Sequence, residues 1–236
     1  MVLRRSYVAA LVLGAFLWLS SSLGLLGMWD LRQAAAGMTP ISRGNSSFPN
    51  VALMFNVDWG EDELPKILDV LAEKRAKATF FLTGSWAEKN AGLARRIVAE
   101  GHEIGNHGAV HSHIESMPED QLRRLIESGE ERIRLSSGAV PSKLFAPPYG
   151  EWNEGIVAAA SRMGYLTILW TVDTVDWRLP PPEAIWKRAL GGAVPGALIL
   201  MHPTPPTVSA LPLVIDGLRD KGYVLTTVSG CIRGGP

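Results

Sequence analysis

From residue 50 onward, short β-prone apolar runs alternate with helical patterns, and this alternation constrains the fold more than any other feature. The strand candidates are Val51–Val57, Ala78–Thr83, Glu103–Asn106, Leu144–Ala146, Tyr165–Thr171, Ala197–Met201 and Tyr223–Thr227. Between them, Glu63–Arg75, Trp86–Glu100, Glu119–Leu135, Asn153–Met163, Glu183–Leu190 and Val208–Lys221 read as helices. Such strict alternation implies right-handed crossovers and a mostly parallel sheet. About seven units fall short of a standard eight-unit barrel, which takes ~250 residues. The expected fold is therefore α/β, a distorted (β/α) barrel of about seven units. The clearest helix carries Leu122, Leu125, Ile126, Gly129 and Ile133 on one face, with Arg123, Arg124, Glu127, Glu130, Glu131 and Arg134 on its solvated side. Ser116-Met117-Pro118-Glu119 before it reads as a capping box with an early proline.

The segment before the barrel has a different character. Arg4 and Arg5 precede an apolar run from Tyr7 to Trp29, broken only by Ser20-Ser21-Ser22. That run suits an N-terminal hydrophobic helix long enough to span a bilayer, which takes about 20 residues. Ala34-Ala35-Ala36 also offers a cleavage site, so residues 1–30 read as either a membrane anchor or a signal peptide. With the arginines held inside, the domain faces outward from the cell membrane, or is secreted if the signal is removed. Residues 31–49 read as a polar linker and residues 50–236 as the domain. The chain has 23 basic and 23 acidic residues, so no phosphate-neutralising excess points to nucleic acid. The single cysteine, Cys231, excludes an internal disulfide and reads as a small residue at the end of the last strand or turn.

Polar clusters sit where the strand candidates end. His107 and His111 are spaced to offer two neutral nitrogen donors to one divalent ion, zinc first among the candidates. Water bound to such an ion becomes a nucleophile near neutral pH. Asp58 is the acid at the end of the first strand, available as third ligand or as base. His202 ends the Leu198–Met201 run and can protonate a leaving amine, oriented by Asp173 or Asp176. Leu200 can line an apolar pocket, and Trp177 offers a flat face to a sugar ring. Pro147-Pro148-Tyr149-Gly150 reads as a stiff loop whose backbone N–H groups can face an oxyanion. His102 and His113 read as bystanders.

Taken in order, these clusters resemble the polysaccharide deacetylase family (carbohydrate esterase family 4, the NodB-homology domain), closest to its sporulation-associated branch, over roughly Asn50 to Ser229. The resemblance implies metal-dependent removal of N-acetyl groups from amino-sugar polymers such as peptidoglycan or chitin-like oligomers, with cell-wall glycan as partner. It implies metal binding by His107 and His111 and a general acid at His202. It also implies acetyl-methyl contact by Leu200, an oxyanion N–H at Tyr149, and Asp173 (or Asp176) with Trp177 as the fourth motif.

The first and third motifs depart from the family. Where members read Thr-Phe-Asp-Asp-Gly, alignment on Phe55 puts Asn56 at the base and Val57 at the metal ligand. The arginine that steadies the base is replaced by Ala146. Losing an acid together with its cationic partner leaves no orphan charge. Valine coordinates nothing. Asp58, on the same side of an extended strand as residue 56, is expected to compensate; alignment on Gly60 instead puts Asp58 at the base position and Trp59 at the metal position. The resemblance favours an exported metal-dependent hydrolase with a rebuilt site; the alternative is a catalytically inactive glycan-binding wall protein on the same scaffold.

Overall fold

A computed structural model describes residues 39–234. The hydrophobic helix expected in residues 1–30, and the first part of the linker, lie outside the described residues. Among the described residues no helix is long and apolar enough to cross a membrane.

The chain runs β1 (Asn50–Val57), α1 (Leu64–Glu73), β2 (Thr79–Leu82), α2 (Gly84–Lys89), α3 (Ala91–Ala99), β3 (Glu103–Asn106), α4 (Glu119–Ser137) and β4 (Leu144–Phe145). It continues with α5 (Glu154–Arg162), β5 (Leu166–Thr167), β6 (Val172–Asp173), α6 (Pro182–Gly192), β7 (Leu198–Met201), α7 (Pro205–Asp220), β8 (Val224–Thr226) and α8 (Val228–Arg233). All strand pairs are parallel, in the order β5-β4-β3-β2-β1-β7-β6, with β8 also beside β1. No ladder joins β5 to β6, so the sheet curls without closing. The end of the segment read as a linker pairs next to this gap. Ile41 N–H donates to Thr167 O (2.8 Å), Leu169 N–H donates to Ile41 O (2.9 Å), and Arg43 bridges to Ala197.

β1 is buried along its whole length, as a central parallel strand covered on both faces should be. Its alternate residues serve two different layers. Leu53, Phe55 and Val57 belong to the cluster shared with the helices, including Leu64, Leu68 and Leu71. Ala52 and Met54 belong to the barrel interior with Phe81, Leu198 and Leu200.

Several local expectations are corrected. The stretch Trp86–Glu100 is two helices meeting at Asn90, because the Asn90 backbone leaves helical geometry there (φ −121°, ψ 40°). Tyr165–Thr171 holds only the two residues of β5, and β6 was not foreseen. Ser116 does not cap α4; Pro118 holds the N-cap position without a side-chain hydrogen bond. Cys231 lies in the terminal helix α8, which Thr227 caps through its hydroxyl, rather than at a strand end.

Gly129 belongs on the inner face of α4 for want of a side chain. A Cβ there would come within 2.7 Å of Asn106 Oδ1 and of the Gly108 carbonyl carbon. The helix thus backs directly onto the segment that carries the two histidines. Asn106, fully buried, fastens that contact: its Nδ2 donates to Ile126 O (2.8 Å), and its Oδ1 accepts from Gly108 N–H (2.7 Å).

Candidate functional site

The C-terminal ends of the strands surround a cavity of about 330 Å³. Asn56, His111, Tyr149, Asp173, Trp177, Leu200 and His202 line it, together with Trp59 and Trp170. Most of the residues singled out in sequence therefore converge on one cleft. Asp58 is not among its walls.

The acid side of the cleft is fully built. Asp176 is completely buried and accepts three hydrogen bonds. They come from His202 Nδ1–H to Oδ1 (2.8 Å), from His202 N–H to Oδ2 (2.6 Å) and from Thr207 Oγ1–H to Oδ2 (2.6 Å). A carboxylate on Nδ1 fixes the imidazole plane and leaves Nε2 as the nitrogen that can exchange a proton. Asp176, not Asp173, is thus the partner of His202. Asp173 instead accepts from Val175 N–H (2.8 Å), holding Val175 in the left-handed region (φ 56°) that β-branched residues avoid. That turn delivers Asp176 to the histidine. Thr207, on α7, escaped sequence reading because it lies far along the chain from Asp176.

The imidazole pair is also ordered. His107 Nδ1–H donates to Ala146 O (2.6 Å), so the lone pair resides on Nε2. Its ring centroid lies 5.0 Å from that of His111. Burial pushes the pKa of His107 down to about 3, with proximity to His111 adding to the effect. Burial also lowers His111, while the charge of Asp58 acts in the opposite direction. Both are therefore neutral donors near pH 7.

The third donor is where the site departs from a catalytic zinc centre, which takes three protein ligands. Val57 is fully buried among apolar side chains. Asn56 is an amide. Asp58, just past the end of β1, accepts from Thr83 Oγ1–H (2.7 Å), and that hydroxyl in turn accepts from Trp86 N–H to cap α2. Among the described residues, no group of three or more His, Cys, Asp or Glu side chains is placed to hold an ion. One oxygen of Asp58 is thus engaged at the α2 cap by the Thr83 hydroxyl, while its charge still reaches His111. The donor set does not fit a three-ligand metal.

The rim is aromatic. Trp59 (44 % exposed) stacks parallel to His202 with centroids 6.2 Å apart, and Trp177 (47 % exposed) lies under the Arg178 guanidinium. Tyr149 adopts φ 58° and is wedged by His113, stacked at 4.0 Å, and by the His111 ring edge at 4.3 Å. His113 is therefore no bystander. It hydrogen-bonds Glu151 (2.5 Å), whose second oxygen accepts from Ile114 N–H. His102 does stay outside the cleft: its Nδ1 accepts from Ala78 N–H (3.3 Å), and burial lowers its pKa to about 4.

These depressed histidines set a pH dependence. Both pKa values lie below the unfolded value near 6.5, so the unfolded chain takes up protons first as pH falls. Their contribution is present in full above about pH 6.5 and is lost as pH falls, toward pH 4 for His102 and pH 3 for His107, at about 1.4 kcal/mol per histidine per pH unit. Urea unfolding at pH 7 and pH 5 should show that loss, and His102→Gln should remove about half of the two histidines' share. An unchanged slope in His102→Gln would contradict the assignment.

The polysaccharide deacetylase family profile matches residues 43–168. The chain is 40% identical over 190 residues to the uncharacterized protein YlxY of Bacillus subtilis, covering 80% of this chain and 59% of that protein. It is 39% identical over 183 residues to a peptidoglycan-N-acetylglucosamine deacetylase of Bacillus cereus, covering 75% of this chain and 66% of that one. The chain thus spans less than two thirds of these relatives' length. Among solved structures, a carbohydrate esterase family 4 pseudoenzyme of Bacillus anthracis superposes with a TM-score of 0.80 at 35% identity, covering 83% of this chain and 69% of that chain. A mutant of that pseudoenzyme with restored enzymatic activity superposes equally well, at 34% identity, covering 83% of this chain and 71% of that chain.

Proposed function

The chain belongs to the polysaccharide deacetylase family, and on that footing we propose that it binds N-acetylated amino-sugar glycan of the cell wall without the hydrolytic step. One observation carries this reading: the cleft keeps Leu200, its aromatic rim and the ordered His202, but with Asn56, Val57 and the Thr83-bound Asp58 no third donor is grouped with the two imidazoles among the described residues. A pyranose stacks its C–H face on an aromatic ring, and an acetyl methyl is accommodated beside Leu200 on the cleft wall. The likeness to a pseudoenzyme supports the same conclusion. Export through the Tyr7–Trp29 segment, as an anchor or a cleaved signal, belongs to this proposal, because the glycan lies outside the membrane.

A second reading, hydrolysis of the N-acetyl group, is favoured by the Asp176–His202 pair, which is oriented as a proton donor to a leaving amine needs. It requires an ion such as zinc on His107 and His111, completed by a carboxylate such as Asp58, one oxygen of which accepts from Thr83.

Binding is tested by titrating the full chain in detergent micelles with chitotetraose, the tetramer of N-acetylglucosamine. Saturable binding is expected, and Trp177→Ala should weaken it about 30-fold, the roughly 2 kcal/mol of a buried aromatic anchor. Equal affinity in Trp177→Ala would move the glycan out of this cleft.

A further inference from the structure

Asn56 stands on the interior side of β1, in line with Ala52 and Met54, and forms part of the cavity wall. It is 7 % exposed, and its Oδ1 is buried with no hydrogen-bond partner. Buried amide oxygens are almost always paired, since leaving one unmet carries the full desolvation penalty of that group. Met54, on the same side of β1, and Leu200, on the same cavity wall, offer no donor. Rotation about the terminal torsion of the side chain exchanges Oδ1 and Nδ2 and turns the oxygen to the cavity.

We infer that Asn56 is the residue that reads the acetamide group of the glycan, its Oδ1 accepting the acetamide N–H. The inference rests on the glycan-binding reading above and names the chemistry that the cleft selects. A neutral acceptor suits this position. Ala146 supplies no cation to balance a carboxylate. The substitution that removes a base thereby creates an acceptor matched to an uncharged secondary amide. Leu200, on the adjacent strand and on the same cavity wall, is placed to meet the acetyl methyl while Asn56 meets the nitrogen. A sugar with a hydroxyl in place of the acetamide lacks the methyl for Leu200, and its freely rotating O–H is held less firmly by Asn56 than an amide N–H whose plane the acetyl contact fixes.

The test compares chitotetraose with cellotetraose, the same backbone bearing 2-hydroxyls, on the full chain in micelles by calorimetry. The unaltered chain should prefer chitotetraose at least about tenfold, the equivalent of one hydrogen bond. Asn56→Ala should reduce that preference to within about threefold, chiefly by losing affinity for chitotetraose. Asn56→Asp, which keeps an acceptor oxygen at nearly the same volume, should retain the preference. Equal affinity of the unaltered chain for the two glycans would overturn the inference, as would a preference undiminished in Asn56→Ala. An equal loss for both glycans in Asn56→Ala also overturns it, since that is the mark of a structural role. Binding of neither glycan by the unaltered chain would instead overturn the glycan-binding reading itself.

Discussion

Asp176→Ala is expected to destabilise the domain by about 3–5 kcal/mol, the range for removing one partner from a buried hydrogen-bonded charge. The carboxylate has no solvent contact and collects three donors from two elements, His202 after β7 and Thr207 on α7. Deleting it strands all three, and each stranded donor keeps its desolvation penalty. The turn through Val175 also loses its purpose, since its left-handed backbone exists to bring Asp176 inward. For a domain of this size, each kcal/mol lowers Tm by about 2–4 °C, so a drop on the order of 10 °C is expected. Asp173→Ala removes only the brace on Val175 N–H and should cost about 1 kcal/mol. Thermal melts of the two variants side by side decide the matter, and equal shifts would contradict the division of labour between the aspartates.

The second large effect concerns metal. In the unaltered chain, among the described residues, no third His, Cys, Asp or Glu is grouped with the two imidazoles to hold an ion. The double variant Asn56→Asp/Val57→Asp places acids at the two positions where the family's first motif has them. It should bind zinc at least about 100-fold more tightly than the unaltered chain, as a third protein donor completes the set. Without metal the variant should be several kcal/mol less stable, because Val57 sits in an apolar cluster where a carboxylate is unpaired. Zinc at 100 times its Kd would restore about 2.7 kcal/mol. The readout is the change in Tm between chelator and zinc: large in the double variant, small in the unaltered chain. A small change in both would show that the missing carboxylates are not what keeps metal away.

Much of the fold was legible in the sequence, for a physical reason. Parallel strands buried on both faces read as apolar runs such as Val51–Val57, and their alternation with helices admits few topologies. The site was legible where chemistry resides in single side chains at strand ends, as with His107, His111, Leu200 and His202. It was not legible where the deciding contact is long-range. Asp173 and Asp176 sit in one short segment, and only the left-handed Val175 between them determines which reaches His202. Asp58 was expected to share the face of residue 56 by strand alternation, but β1 stops at Val57, and one carboxylate oxygen accepts from the Thr83 hydroxyl while the charge still reaches His111. Trp59 and His113 acquire their roles only through rings brought alongside by the fold.

The central claim is that this cleft holds an acetylated glycan and leaves it intact. The most direct measurement is acetate release from chitotetraose by the unaltered full chain, with zinc supplied and glycan at saturating concentration. No acetate above the uncatalysed background is expected while calorimetry shows the glycan bound. Repeated turnover that His202→Ala abolishes would contradict the claim and establish the chain as a working deacetylase.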